Sequence, residues 1–435
     1  FPMTYPLEVA LWLIALVLSG GLVGGVVLWR LQQPLTAYLR GCVRVTVVMC
    51  VIAAGVRFLL LPTLAALFFS SVTMVFVLIV GLVRWLLSRP QRHFWHVVGW
   101  SHLGLFTIHL FVTFPVFLGW FGSRQLQSRG LEQRYDGPRI AADGEMAMQT
   151  WGTLKSERDA GVPSVGGFIV EAARKRAHSV PSSDGVTIRT YRLEAKVEEP
   201  VAVAVLVHGL FRSSMELEPV ANMLRNRGCE CWLVDQRNHG RSTRAPFTGG
   251  LRESDDVVAV VEYVRAQPGR AKTPLVLFGV SLGTIAISLA LPRIDNVAGV
   301  LLDAPIDDLT AAAHRMMEFN RPGDKRSMTY LYEPWRSLIL TSLGAWSDFS
   351  PADVSPIEQL ATLPHDIPVL VVGEELDDRA PPQTVRNLFE RMPQHEGVKE
   401  LLEVQGVGHG RAFLESPAVF DQALGRLLER LRLPQ

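Results

Sequence analysis

Hydrophobic positions follow two regimes along this 435-residue chain: long, nearly unbroken stretches up to about residue 121, and short bursts separated by amphipathic stretches from about 181 onward. A helix needs about 20 apolar residues to cross the hydrocarbon core of a bilayer. Segments 7–29, 42–62, 64–87 and 94–120 have that length and predict an all-α transmembrane bundle of about four helices over 1–121. The shortest apolar centre is in 42–62, from Val45 to Val56, where Arg44 and Arg57 are placed to snorkel toward opposite interfaces. Trp29, Trp85, Trp95 and Trp120 fall near the ends of these segments, where interfacial aromatics belong.

The later bursts are Val201–Val207, Cys231–Val234, Leu275–Phe278, Val297–Leu302, Pro368–Val372 and Glu400–Val404. Short runs that are apolar on both faces and alternate with helical stretches predict a doubly wound, mostly parallel α/β sheet over 181–435. The connection 306–366 is longer than a strand crossover needs and reads as a cap insertion; 122–180 is loop-rich and reads as a linker. There is no internal repeat.

Charge sharpens the division. Residues 1–120 carry seven arginines, no lysine and one acid (Glu8), whereas the remainder carries 36 bases against 41 acids. No basic stripe is interleaved with aromatics, which argues against a nucleic-acid partner. Arg30, Arg40 and Arg44 flank the first loop, and Arg84, Arg89 and Arg92 fill the third. With four spans these loops share one side, cytoplasmic by the positive-inside rule, and the C-terminal domain lies on the extracytoplasmic side; if 42–62 does not cross, the domain moves to the cytoplasm. The leading run has no basic n-region and is too long for a signal peptide, so it reads as a retained anchor and membrane lipids as its partners.

Cysteine and histidine spacing exclude other chemistries. Cys42 and Cys50 are small apolar residues within the greasy half, and Cys229 and Cys231 flank Glu230 on one strand; neither pair builds a disulfide framework or a zinc site. His102 and His109 share a helix face, but no second histidine-bearing span completes a haem or metal site.

The candidate chemistry begins at "LVLFGVSLGTIAISLALP" (275–292), where an apolar strand turns at Gly279-Val280-Ser281-Leu282-Gly283 into a helix. A serine on so tight a turn is pushed above the sheet, and the helix N-terminus points its amides there. A hydroxyl nucleophile needs a base and the base an orienting acid. "EVQGVGHGRAF" supplies His409 in a glycine-rich loop, and "PVLVVGEELDDRAPP" supplies Asp377 beyond a strand. The amides of Leu210, after His208-Gly209, and of Leu282 are candidate oxyanion donors, with His208 bracing its loop. The acidic run Glu374–Asp378 lacks the spacing of a calcium loop.

On these features (His208-Gly209, "DQRNHGRS" at 235–242, "GVSLG", the acid after "VLVVG", and "GHG") residues 181–435 resemble the α/β-hydrolase superfamily of the serine esterase and lipase type. The chain order Ser281, Asp377, His409 is the order of that fold. The resemblance implies Ser281 as nucleophile, His409 as base and Asp377 as acid, an acyl-enzyme, and no metal or organic cofactor. It also marks 235–242 as a structural corner near the site. One departure stands out: the family's acid usually lies three residues after the strand-end glycine, whereas Asp377 lies four after Gly373, so Asp378, Glu375 and Asp303 remain alternatives. In the cap, Trp335, Leu338, Ile339 and Trp346 are candidates to line an acyl pocket or dip toward a bilayer.

The reading is a membrane-anchored serine hydrolase acting on an acyl ester, with a lipid-type substrate favoured over another small-molecule ester. The competing readings are an amide hydrolase or acyltransferase with the same triad, and a non-catalytic hydrolase-like scaffold for a membrane ligand-binding or transport bundle. Oligomeric state leaves no mark in the sequence.

Overall fold

The computed structural model describes residues 108–127, 139–140, 146–147, 177–317 except Phe211, 334–347 and 349–431. The segments 7–29, 42–62 and 64–87 lie outside the described residues, as does the first part of 94–120. Among the described residues, no helix is long and apolar enough to cross a membrane.

Among the described residues eight strands form the main sheet: β1 (Ala177–Pro181), β2 (Thr187–Leu193), β3 (Ala202–Val207), β4 (Cys229–Asp235), β5 (Leu275–Val280), β6 (Val297–Asp303), β7 (Val369–Glu374) and β8 (Lys399–Val404). Their order is β8-β7-β6-β5-β3-β4-β2-β1. Neighbours from β8 through β4 pair in parallel, and β2 runs antiparallel to both β4 and β1. The sheet thus starts at Ala177, inside the segment read as linker. That strand escapes the sequence pattern because it is an edge: of "AHSVP" only Val180 is buried. A separate antiparallel pair joins Arg139–Ile140 to Met146–Ala147.

The helices are α1 (Phe114–Gln127), α2 (Glu218–Asn226), α3 (Leu251–Arg265), α4 (Leu282–Ala290), α5 (Leu309–Met317), α6 (Trp335–Ser347), α7 (Pro356–Leu360), α8 (Pro382–Arg391), α9 (Ala412–Glu415) and α10 (Pro417–Glu429). Alternation along the central strands explains why they read as continuous apolar runs. Val203, Val205 and Val207 enter one core with Val257 and Val261 of α3, Ile285 of α4 and Val385 of α8. Ala202, Ala204 and Leu206 enter the other with Val220 of α2 and Phe420 of α10. A sheet covered on both faces has no polar side to show.

Register places the functional edge. Val207 lies opposite Gly279, Val280 opposite Asp303, Asp303 opposite Val372, and Glu374 opposite Val404. The carboxyl ends of five parallel strands therefore stop nearly level, and the loops that follow them gather at one edge, where open α/β sheets place their sites.

The chain divides into two compact units, Phe1–Trp120 with Met317–Ser342, and Phe121–Met316 with Leu343–Gln435. Part of the segment read as a cap on the sheet, 317–342, thus belongs with the N-terminal residues. Within the first unit Phe111 and Trp335 stack at 5.2 Å, and Ser342 Oγ donates to the Val116 carbonyl at 2.8 Å. A Cβ on Gly119 would lie 2.5 Å from the Ile339 carbonyl oxygen, so these helices touch backbone to backbone. The helix α1 also runs through the 121/122 boundary that the sequence pattern suggested, as far as Gln127. Within the second unit Ser123 Oγ donates to the Trp346 carbonyl at 2.9 Å.

Candidate active site

The turn after β5 is built by what it excludes. A Cβ on Gly279 would fall 2.7 Å from the Gly283 carbonyl carbon, and one on Gly283 would fall 2.2 Å from the Val207 carbonyl oxygen. Only glycines let strand, turn and helix approach so closely. Between them Ser281 is held at φ 51°, ψ −114°, a sparsely populated conformation costing on the order of 1–3 kcal/mol. Its amide donates to the Asp303 carbonyl at 3.0 Å, and its carbonyl accepts from Thr284 N at 2.9 Å and Thr284 Oγ1 at 2.6 Å. The side chain is left half-buried at the N-terminus of α4.

Ser281 Oγ lies 2.7 Å from His409 Nε2, and His409 Nδ1 lies 2.7 Å from Asp377 Oδ2. Asp377 Oδ1 accepts from the Arg379 and Ala380 amides at 2.8 and 2.9 Å. Burial works against the Asp377 charge, but the neighbouring His409 and these amides outweigh it and hold its carboxyl below the usual range. An ionised Asp377 keeps the imidazole proton on Nδ1 and leaves Nε2 to accept from the serine. The loop carrying His409 passes close over β5: Gly410 has φ 64°, and a Cβ there would sit 2.8 Å from Val280 Cγ1.

The loop after β3 borders the serine. A Cβ on Gly209 would stand 3.5 Å from Ser281 Cβ; Leu210 follows Gly209 in the chain, and Leu282 follows Ser281 as the first residue of α4. His208 is fully buried: the Gln236 amide donates to its Nε2 at 3.1 Å, so Nδ1 carries the proton and donates to the Gly209 carbonyl at 2.7 Å. Burial, with His239 adding to it, holds its pKa well below the usual value, and it stays a neutral brace.

Residues 204–423, just over half of the chain, match the alpha/beta hydrolase family. The chain belongs to that family.

By fold this α/β hydrolase is similar to an esterase from Pyrococcus furiosus, at 16% identity and a TM-score of 0.47, over 68% of this chain and 99% of that one. It is also similar to a thermophilic esterase from Thermogutta terrifontis, solved with malate bound, at 17% identity, a TM-score of 0.43, and coverage of 59% and 98%. An esterase from Exiguobacterium antarcticum gives 16% identity, a TM-score of 0.43, and coverage of 58% and 98%.

The other acids of the hydrolase take different places. Asp378 and Glu375 are exposed, and Glu375 Oε2 accepts from the Gly406 amide at 2.8 Å. Asp303 is fully buried at the end of β6, with neither carboxyl oxygen in a hydrogen bond. Trp335 belongs to the first unit, where it is buried against Phe111, and Trp346 stands 41% exposed on α6. Ligand atoms of Glu374, Asp377 and His409 lie within 4.8 Å of one another, but they are already engaged in the hydrogen bonds of the histidine loop.

The "DQRNHGRS" corner is a brace rather than a reacting group. Asp235 accepts from Ser214 N, Tyr191 Oη and Arg241 N, and the buried Arg237 pairs with Asp256 through Nε at 2.7 Å and Nη2 at 2.8 Å. Sequence reasoning missed three residues of the surroundings. Gln236 holds His208 from two sides, Glu216 accepts from the Gly209 amide at 3.3 Å, and Glu374 accepts three amides beyond His409. Glu374 carried one signal, an acid directly after the strand-end glycine, and Gln236 lies within the 235–242 corner; Glu216 carried none.

Proposed function

We propose that this α/β hydrolase cleaves acyl esters through a covalent intermediate on Ser281. The observation that carries the reading is the unbroken hydrogen-bond chain from Ser281 Oγ through His409 to Asp377, at 2.7 Å in each link. In the reaction, Ser281 Oγ attacks the ester carbonyl carbon while His409 Nε2 takes the hydroxyl proton. The carbonyl π pair moves onto oxygen and is met by the Leu210 and Leu282 amides, each such donor being worth about 3 kcal/mol of barrier. Collapse expels the alcohol, which takes the proton from His409 and leaves an acyl-Ser281 ester. Water, deprotonated by His409, then releases the carboxylic acid and restores the serine.

The apolar N-terminal segments support placement at a membrane, with the hydrolase unit on the extracytoplasmic side, and favour a lipid-type ester because an anchor raises the local concentration of lipid-borne substrate. In this reading the exposed Trp346 is the candidate to meet the acyl chain, while Trp335 stays buried against Phe111 in the first unit. Full-length protein should stay with membranes after alkaline carbonate washing and leave them in detergent; release by carbonate alone would remove the anchor from the proposal.

The deciding experiment treats full-length detergent-solubilised protein and Ser281→Ala with a fluorophosphonate, reading the adduct by mass spectrometry. Labelling at Ser281, absent from the variant, is expected and would justify a screen of esters of graded chain length. No labelling of a folded wild type would overturn the reading in favour of a non-catalytic scaffold.

A further inference from the structure

Four consecutive residues at the end of β7 hold the whole loop that carries His409. Glu375 N donates to the Val404 carbonyl and Leu376 N to the Val407 carbonyl, each at 2.9 Å. Gly406 N donates to Glu375 Oε2 at 2.8 Å, and Asp377 takes His409 Nδ1 at 2.7 Å. Glu374 closes the far end: its Oε2 accepts from Gly410 N at 2.8 Å, and its Oε1 accepts from Arg411 N at 2.7 Å and Ala412 N at 2.9 Å. His409 therefore hangs between two fixed points, Val407 and Gly410.

A carboxyl group at that far end needs a reason, because Glu374 is fully buried and burying such a group is costly. Asp377 lies on its own segment and Asp303 on the neighbouring strand, with Glu216 facing Asp303 in turn. Burial first, and then the Asp377 charge, push the Glu374 pKa up to about 8, while the three amides pull it back. What offsets the cost is geometry. Three successive N–H groups converge on one side chain, and only a carboxyl group brings two oxygens to receive them; a carboxamide brings one.

We propose that Glu374 is a positioning residue: by gathering the three amides that follow His409, it fixes the loop that aims Nε2 at Ser281 Oγ. The kinetic part of this proposal rests on the serine-hydrolase reading, whereas the mechanical part does not. Replacement by glutamine keeps the shape but turns an NH₂ group toward at least one of the donors.

The test combines amide hydrogen exchange, resolved to 410–412 by mass spectrometry, with hydrolysis of p-nitrophenyl butyrate, using full-length wild type and Glu374→Gln. Rates are expressed per serine labelled by fluorophosphonate. Expected are protected amides in the wild type, exchange faster by about tenfold in the variant, and kcat lower by about tenfold or more with KM within about twofold, because a small displacement of an aligned group costs mainly the chemical step. A merely structural role would reduce the number of labelled serines and leave kcat per labelled serine unchanged, which would overturn the proposal. If the variant does not fold, the wild type decides alone: unprotected amides at 410–412 overturn the clamp. Protected amides in a wild type that never labels at Ser281 would instead overturn the hydrolase reading, and the kinetic role with it.

Discussion

His409 Nδ1 meets Asp377 Oδ2 at 2.7 Å, although Asp377 lies one residue further beyond the strand-end glycine than the acid of related hydrolases usually does. The additional residue is absorbed in a turn in which the Asp377 amide donates to the Glu374 carbonyl at 3.2 Å. That turn sends Asp377 inward and leaves Glu375 and Asp378 exposed.

Asp377→Asn should therefore lower kcat for ester hydrolysis by about 10³–10⁴-fold with little change in KM, since the amide favours the wrong imidazole tautomer. Asp378→Asn should stay within about twofold. Steady-state kinetics on a p-nitrophenyl ester separates the two, and equal losses would contradict the assignment of the acid.

Gly283→Ala places a methyl group 2.2 Å from the Val207 carbonyl oxygen, a backbone atom that has no rotamer by which to yield. Overpacking against backbone is expected to cost about 3 kcal/mol or more. The denaturant midpoint should fall accordingly, and an unchanged midpoint would mean that the helix can draw back from the strand to admit the methyl group.

Asp256→Ala removes the buried carboxylate partner of the Arg237 guanidinium and leaves it Ser183 Oγ at 3.1 Å and the half-exposed Asp184 carboxylate at 3.9 Å. Stranding one member of a buried pair costs about 3–5 kcal/mol. Equilibrium unfolding of the variant measures the loss. A loss below about 1 kcal/mol would mean that Asp184 or water takes over the Arg237 charge.

Stability should decline as pH rises from about 5 to 8. Burial, and then Glu374, Glu216 and Asp377, push the Asp303 pKa well above the carboxylate range, and Glu374 is raised to about 8. In that window the folded chain keeps protons that the unfolded chain has released, so the slope of stability against pH is negative. Asp377 acts in the opposite sense and below the window, its contribution being lost as pH falls through its depressed pKa. Asp303→Asn should give a shallower slope in urea unfolding; an identical slope would show that Asp303 holds no such proton.

What could be read in the sequence tracks how local the cause is. The parallel strands stood out because burial on both faces leaves a continuous apolar run, as in "AVAVLV" of β3. Ser281 stood out because its turn demands small residues two positions to either side. The choice among Asp377, Asp378, Glu375 and Asp303 was not local: it depends on which way one turn faces and on where His409 lies, 32 residues away. The roles of Glu374 and Gln236 could not be read for the same reason, since those roles consist of contacts with loops from other strands. Edge strand β1 was missed because only one of its residues is buried.

The excursion of 317–342 into the company of the N-terminal residues has a consequence for how the chain can be taken apart. A cut between α1 and β1 severs one peptide connection, yet the fragment ahead of it keeps its grip on α6 through the Phe111–Trp335 stack and the Ser342–Val116 bond. The two fragments should co-purify after limited proteolysis. A hydrolase unit expressed from residue 177 onward would carry Trp335 stripped of its stacking partner, so trimming both ends of the gene does not isolate one unit from the other.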